Sequence, residues 1–169
     1  MSKNFALRAT LGAALLAVAG IASAAGTVVD ADLNTFSNGV GADSGLFLTT
    51  GEHYYVSASG LWRNDPNSFY NAGPNGNTVQ SQLSQDGLTA NYGTLVGEID
   101  GGTPFIVGSS FWGTAAATGE LELFFWDSDR GITNNSGTVT ASAVVPEPTT
   151  FALMGLGLGL IGLSRRRKI

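Results

Sequence analysis

Two apolar runs, residues 11–21 and 151–163, stand near the two ends of a chain whose middle carries no long apolar run and no helical stripe. In that middle, hydrophobic and polar positions alternate with period two. Glu120-Leu121-Glu122-Leu123 alternates and continues into Phe124-Phe125-Trp126, and residues 138–144 alternate again. Successive side chains of a strand point to opposite faces, so this pattern predicts strands with one buried face. Further strands are predicted at 46–50, 53–62, 93–99 and 104–110. Turn-forming stretches separate them, among them Asn64-Asp65-Pro66-Asn67, residues 72–77 and Asp100-Gly101-Gly102. Many short strands with Gly/Asn turns predict an all-β fold, a small antiparallel β-sandwich.

The two ends read differently. Lys3 and Arg8 precede the first apolar run, which closes on Ala22-Ser23-Ala24. A positive start, a short apolar stretch and a small-x-small site make a secretory signal peptide, with cleavage expected between Ala24 and Ala25. The second run follows Pro146-Glu147-Pro148 and is backed by Arg165, Arg166, Arg167 and Lys168. As a helix it reaches only about 20 Å. That is short for a span unless Thr149, Thr150 and Ser164 extend it and the arginines snorkel to the headgroups. Basic residues stay on the cytoplasmic side, so everything before them is expected outside. Val145 to Ile169 resembles the PEP-CTERM sorting signal. The resemblance implies recognition by an exosortase, a membrane protease-transpeptidase of Gram-negative bacteria that make extracellular polysaccharide, with processing near Pro146-Glu147-Pro148. A plain C-terminal anchor would leave Pro-Glu-Pro without a role. The expected route uses the general secretion machinery and then the inner membrane, entered transiently through a short transmembrane helix. It ends at the cell surface or extracellular matrix. The expected organisation is a signal peptide over 1–24, one domain over 25–145 and a sorting signal over 146–169.

Charge narrows the choice of function. Six of the eight basic residues lie in the two end segments, leaving Arg63 and Arg130. All thirteen acidic residues fall between positions 25 and 148, giving that stretch a formal charge of −11. A nucleic-acid binder needs a basic footprint, so that class is excluded; acidic oxygens instead suit calcium. The chain has no cysteine, which removes disulfides, iron–sulfur sites and thiol nucleophiles. His53 is the single histidine and sits in a strand-like segment, which gives a Ser-His-Asp arrangement little to stand on. Glu120 and Glu122 share one polar strand face, the pattern of a solvated face rather than a glycosidase pair. The expectation is a protein that is not an enzyme.

One connection could carry chemistry. W-D-S-D-R-G-I-T-N-N-S-G, Trp126 to Gly137, puts Asp127, Asp129, Asn134 and Asn135 between two predicted strands. Calcium takes six to eight oxygen ligands from carboxylates, amides and backbone carbonyls. No glutamate closes the loop as in an EF-hand, and a plain hairpin with turn-forming Asp, Asn and Gly is the alternative. The body also resembles the calcium-dependent, galactose-binding bacterial lectins of the PA-IL type. The likeness lies in Y-V-S-A-S-G-L-W (Tyr55 to Trp62), G-P-N-G-N (Gly73 to Asn77), G-T-L-V-G-E-I (Gly93 to Ile99) and W-D-x6-N-N-S-G. It implies a galactose-binding-like, jelly-roll type of sandwich. It also implies that Asp127, Asn134 and Asn135 bind Ca2+ by side-chain oxygens, and Gly131 and Asn64 by their carbonyls. Sugar hydroxyls would share that ion, with Asp127, Asn134, Asn64 and Gln80 at the carbohydrate. The sequence departs from the family where a tyrosine is replaced at Asn64, and where a histidine and glutamine correspond to Gln80 and Leu83. Two readings follow, a calcium-dependent binder of galactoside or matrix polysaccharide and a structural or adhesive matrix protein without a specific glycan. Trp62, Phe69, Tyr70, Trp112 and Trp126 are expected to divide between core and sugar stacking, mostly core.

Overall fold

The computed structural model describes residues 26–65, 71–80, 82–128, 134–146 and 157–158. Among the described residues ten strands follow one another: β1 (Thr27–Asp30), β2 (Ala42–Leu48), β3 (His53–Arg63), β4 (Gln82–Gln85), β5 (Leu88–Asn91), β6 (Leu95–Ile99), β7 (Phe105–Ile106), β8 (Ser110–Thr114), β9 (Gly119–Phe125) and β10 (Ser136–Val144). They form two antiparallel four-stranded sheets, β1-β10-β3-β8 and β2-β9-β6-β7, with a β4-β5 hairpin beside them. The architecture is the antiparallel β-sandwich the alternation predicts. The unit Ala22–Pro146 carries all ten strands. In the other unit, Met1–Ile21 with Glu147–Ile169, only Gly157 and Leu158 are described, both helical and exposed.

Burial explains the departures from strict alternation. Leu121, Leu123 and Phe125 of β9 face the space between the sheets, against Val56, Trp62 and Val139. Phe124 and Trp126 face the other way, into a second cluster with Ala90, Val96 and half-buried Phe36, Leu83 and Leu88. The Phe124-Phe125-Trp126 run is continuous because this end of the strand is covered on both sides. Phe36 contacts both rings, at centroid distances of 5.3 Å to Phe124 and 4.9 Å to Trp126. Buried aromatics of this size each resist truncation to alanine by about 3–5 kcal/mol.

Several boundaries differ from the sequence expectation. The 104–110 segment is two strands rather than one, because β7 ends at Ile106 and the chain turns at Gly108 (φ 63°) before β8 begins. Strand β2 starts at Ala42, four residues early, and a register shift between Asp43 and Phe47 hides its alternation. Strands β1, β4 and β5 have no counterpart in the alternation pattern. The β4-β5 turn carries Asp86 and Gly87 at φ 46° and 80°. Two successive positive φ values make the tight turn whose twist matches flanking strands, the conformation Asp-Gly favours.

Candidate functional site

The W-D-x6-N-N-S-G segment leaves β9 and re-enters β10 at one end of the sandwich. Residues 31–38 tie these strand ends together. The Ala31 N–H donates to Gly137 O (3.1 Å) and the Phe125 N–H to Asn34 O (2.8 Å). Gly137 (φ 91°) pairs with Trp62, and a Cβ there would lie 2.6 Å from Leu61 O and 2.9 Å from Trp62 Cα. The motif therefore closes on glycine because β3 leaves no room for a side chain. Trp62 in turn donates its indole N–H to Gly93 O (2.7 Å), while the Gly93 N–H donates to Trp126 O (2.9 Å). These bonds fix Trp126, just before Asp127, and Gly137, two residues after Asn135.

Asp127 is buried, with 2 % of its surface exposed. Its backbone carbonyl accepts from Ser37 Oγ (2.6 Å) and Gln85 Nε2 (3.0 Å). On the side chain, Oδ1 accepts from the Ser128 N–H (2.7 Å), but the buried Oδ2 has no hydrogen-bond partner. Asn135, 7 % exposed, gives its Nδ2 to Thr35 Oγ1 (3.0 Å), and its buried Oδ1 also lacks a partner. Burial pushes the Asp127 carboxyl above its ordinary value of 3.8, and the Ser128 N–H and nearby Asn135 side chain offset this only in part. Two buried oxygens that can only accept cannot satisfy each other. Leaving a buried carboxylate or amide oxygen unpaired costs about 1–3 kcal/mol each, more for the charge.

The other expected residues divide into three groups. Asn64 follows Arg63 and Asn135 precedes Ser136, so both asparagines adjoin the last β3-β10 pair, Arg63 with Ser136. Half-buried Asn134 precedes it in the same loop. Gln80 is joined to this end, since Asn64 Nδ2 donates to Gln80 Oε1 (2.7 Å). Leu83 is placed elsewhere: its side chain packs into the second apolar cluster and its carbonyl accepts from the Trp126 indole N–H (3.2 Å). Gly131, Asp129, Ala24, Ala25, Glu147, Pro148, Phe69 and Tyr70 lie outside the described residues, and Pro146 is exposed. Trp62 and Trp126 belong to the core, while Trp112 is exposed. His53 is an exposed strand residue with Nδ1 3.0 Å from Thr114 Oγ1.

Thr35, Ser37 and Gln85 are parts of the site that the sequence reading omits. Thr35 is fully buried and holds the Asn135 amide while donating to Ala31 O (2.7 Å). Only the Asp86-Gly87 hairpin signal hints at one of them, by setting Gln85 beside Asp127. Buried Asn77 also has an unpartnered atom, Nδ2. That atom is a donor and does not suit a cation. Among the described residues no group of three or more His, Cys, Asp or Glu side chains gathers at one point. Asp127 supplies a buried carboxylate at this end, with the buried amide oxygen of Asn135 beside it.

Comparison with known proteins fits this geometry. The N-terminal domain of EclA, a PllA-like lectin, shares the fold with a TM-score of 0.56 and 26 % identity, over 72 % of this chain and 95 % of that one. The body thus has a lectin-like sandwich. Residues 144–168 match the PEP-CTERM protein-sorting motif, so a lectin-like body is followed in this chain by that sorting motif. The motif begins on the last residue of β10, and only Val145 and Pro146 separate the strand from Glu147. No curated protein is similar enough in sequence to match. Among the described residues, no helix is long and apolar enough to cross a membrane, and the expected transmembrane helix falls outside them except at Gly157 and Leu158.

Proposed function

We propose that this protein is an exported carbohydrate-binding module that recognises its glycan through a calcium ion held at the β9-β10 loop. One observation carries the reading: Asp127 Oδ2 and Asn135 Oδ1 are buried acceptors without donors at one end of a lectin-like sandwich. A hard cation satisfies both at once, and calcium accepts such a mixed set of oxygens. The ligand set is Asp127, Asn134 and Asn135 through side chains, with the carbonyls of Asn64 and Gly131. Calcium would supply the glycan with open coordination positions for its hydroxyls. Thr35 orients Asn135, and Ser37 and Gln85 hold the Asp127 main chain. The PEP-CTERM motif supports delivery by the general secretion machinery, processing by an exosortase and release to the surface or matrix. Leu83 contributes no side chain to the glycan, so the specificity of the galactose-binding lectins need not carry over.

The deciding experiment is a glycan array run with and without calcium, paired with thermal denaturation. Calcium is expected to raise the melting temperature and EGTA to reverse the rise. Binding only to the folded form stabilises it by about 2.7 kcal/mol at a hundredfold excess over Kd. Calcium binding without any glycan would favour the structural-matrix reading. No effect of millimolar calcium on melting would remove the lectin reading.

A further inference from the structure

The outer face of the β1-β10-β3-β8 sheet carries a second feature, away from the cation loop and independent of it. On β3, Tyr54 and Val56 point into the core, so Tyr55, Ser57 and Ser59 point outward. On β10, Val139, Ala141 and Ala143 are buried, so Thr140 and Ser142 point outward. Ser57, Ser59, Thr140 and Ser142 line an open depression of about 240 Å³. Farther along the same face stand Tyr55 and Trp112, which are paired across β3 and β8 with ring centroids 4.8 Å apart and planes 36° apart. Trp112 is 67 % exposed. In the other direction along β3 stands exposed Leu61, opposite Thr138.

We infer that this trough is a second, calcium-independent contact surface for a neutral polysaccharide chain, with Trp112 and Tyr55 as its stacking platform. A sugar ring has an apolar face that suits an aromatic ring and an edge of hydroxyls that suits Ser and Thr, which both donate and accept. The charge distribution selects a neutral ligand. In a stretch of formal charge −11, neither the floor of this trough nor the adjoining Tyr55-Trp112 pair contains an Asp, Glu, Lys, Arg or His. Protein interfaces are depleted in Ser and Ala, whereas Ser57, Ala58, Ser59, Ala141 and Ser142 make up most of this floor. The depression is open rather than closed around one end, which suits the interior of a chain.

Affinity electrophoresis tests this, with the exported protein run in EGTA through native gels containing galactomannan, xyloglucan or hydroxyethylcellulose. At least one of these neutral polymers is expected to retard the protein. Trp112→Ala is expected to weaken retardation about tenfold, Trp112→Phe to restore most of it, and Ser57→Val to weaken it further. The calcium-induced rise in melting temperature should persist in all three variants, which separates this surface from the cation site and reports that they fold. Three results overturn the inference. They are no retardation by any of the polymers, retardation untouched by Trp112→Ala, and a wild-type dimer in sedimentation that Trp112→Ala dissociates. The last would make the face a contact between copies of the chain.

Discussion

Asp127 and Glu98 are both carboxylates that burial pushes above their ordinary values, yet their surroundings are opposite. Glu98 stands on β6 across from Glu122, which pairs on its other side with Asp43. Burial is the main cause of its shift, and the negative charges of Glu122 and Asp86 add to it. Asp127 is more deeply buried, and the groups that influence it are an N–H and an amide. A row of carboxylates on a half-covered sheet face repels itself but keeps part of its water. A lone buried carboxylate beside an unpaired amide oxygen has lost its water and found a donor for only one of its two oxygens. Missing donors, rather than the density of negative charge, are what single out the proposed cation site.

The strongest way to break this comparison is Asp127→Asn. The substitution keeps the shape and removes the charge, so the calcium-linked stabilisation of about 2.7 kcal/mol at a hundredfold excess should vanish. In EGTA the same variant should be at least as stable as the wild type, because an uncompensated buried charge has gone. Thermal denaturation with and without calcium reads both effects. A variant that is less stable without calcium and still responds to it would mean that Asp127 has another partner.

Next in size is Thr35→Val. Valine fills the space but takes away the acceptor of the Asn135 Nδ2 and the donor to Ala31 O. An unsatisfied buried partner costs about 1–3 kcal/mol. Stability should fall by that amount, and calcium affinity should weaken because Asn135 is no longer oriented. Urea denaturation and calcium titration check the two halves. Lost stability with unchanged affinity would make Thr35 a packing residue only.

How much of this was legible in the sequence varied with distance along the chain. Alternation located β3, β9 and β10, and the N-N-S-G ending located the loop, because these are local patterns. The burial of Asp127 was not legible. It is created by Ser37 and Gln85, 90 and 42 residues away, closing over its carbonyl. Thr35 stayed hidden for the same reason, lying 100 residues from the amide it holds. Leu83 stands where the resemblance has a sugar-contacting glutamine, and its place in the second apolar cluster follows from the β4-β5 hairpin, which the alternation pattern does not predict. The Asp86-Gly87 turn was the available signal, but strands of four residues show too little alternation to stand out.

Acidification sharpens the comparison further. A raised folded-state value means that the folded protein holds the proton more tightly than the unfolded chain. Without calcium, the destabilisation from Asp127 is therefore present at neutral pH and relieved as pH falls through the raised value toward 3.8. Calcium needs the ionised carboxylate, so its affinity should drop by about tenfold per pH unit below that raised value. The decline should begin above the usual aspartate range. Calorimetric titration from pH 7 to 4 measures it, and a flat affinity down to 4 would remove the carboxylate from the ligand set.

The smallest effect belongs to the other member of the pair. Glu98→Gln removes one of two carboxylates directly opposed across β6 and β9. Like charges in that position are destabilising by about 0.2–1 kcal/mol, so the variant should gain that much stability at neutral pH. The gain should disappear on acidification, because protonation of Glu98 below its raised value relieves the same repulsion in the wild type. Urea denaturation at pH 7 and pH 4 reads the difference. The calcium response should not change, since neither Glu98 nor Glu122 lies in the β9-β10 loop. A Glu98→Gln protein that loses its calcium response would move the proposed cation from Asp127 and Asn135 to the acidic sheet face and reverse the comparison.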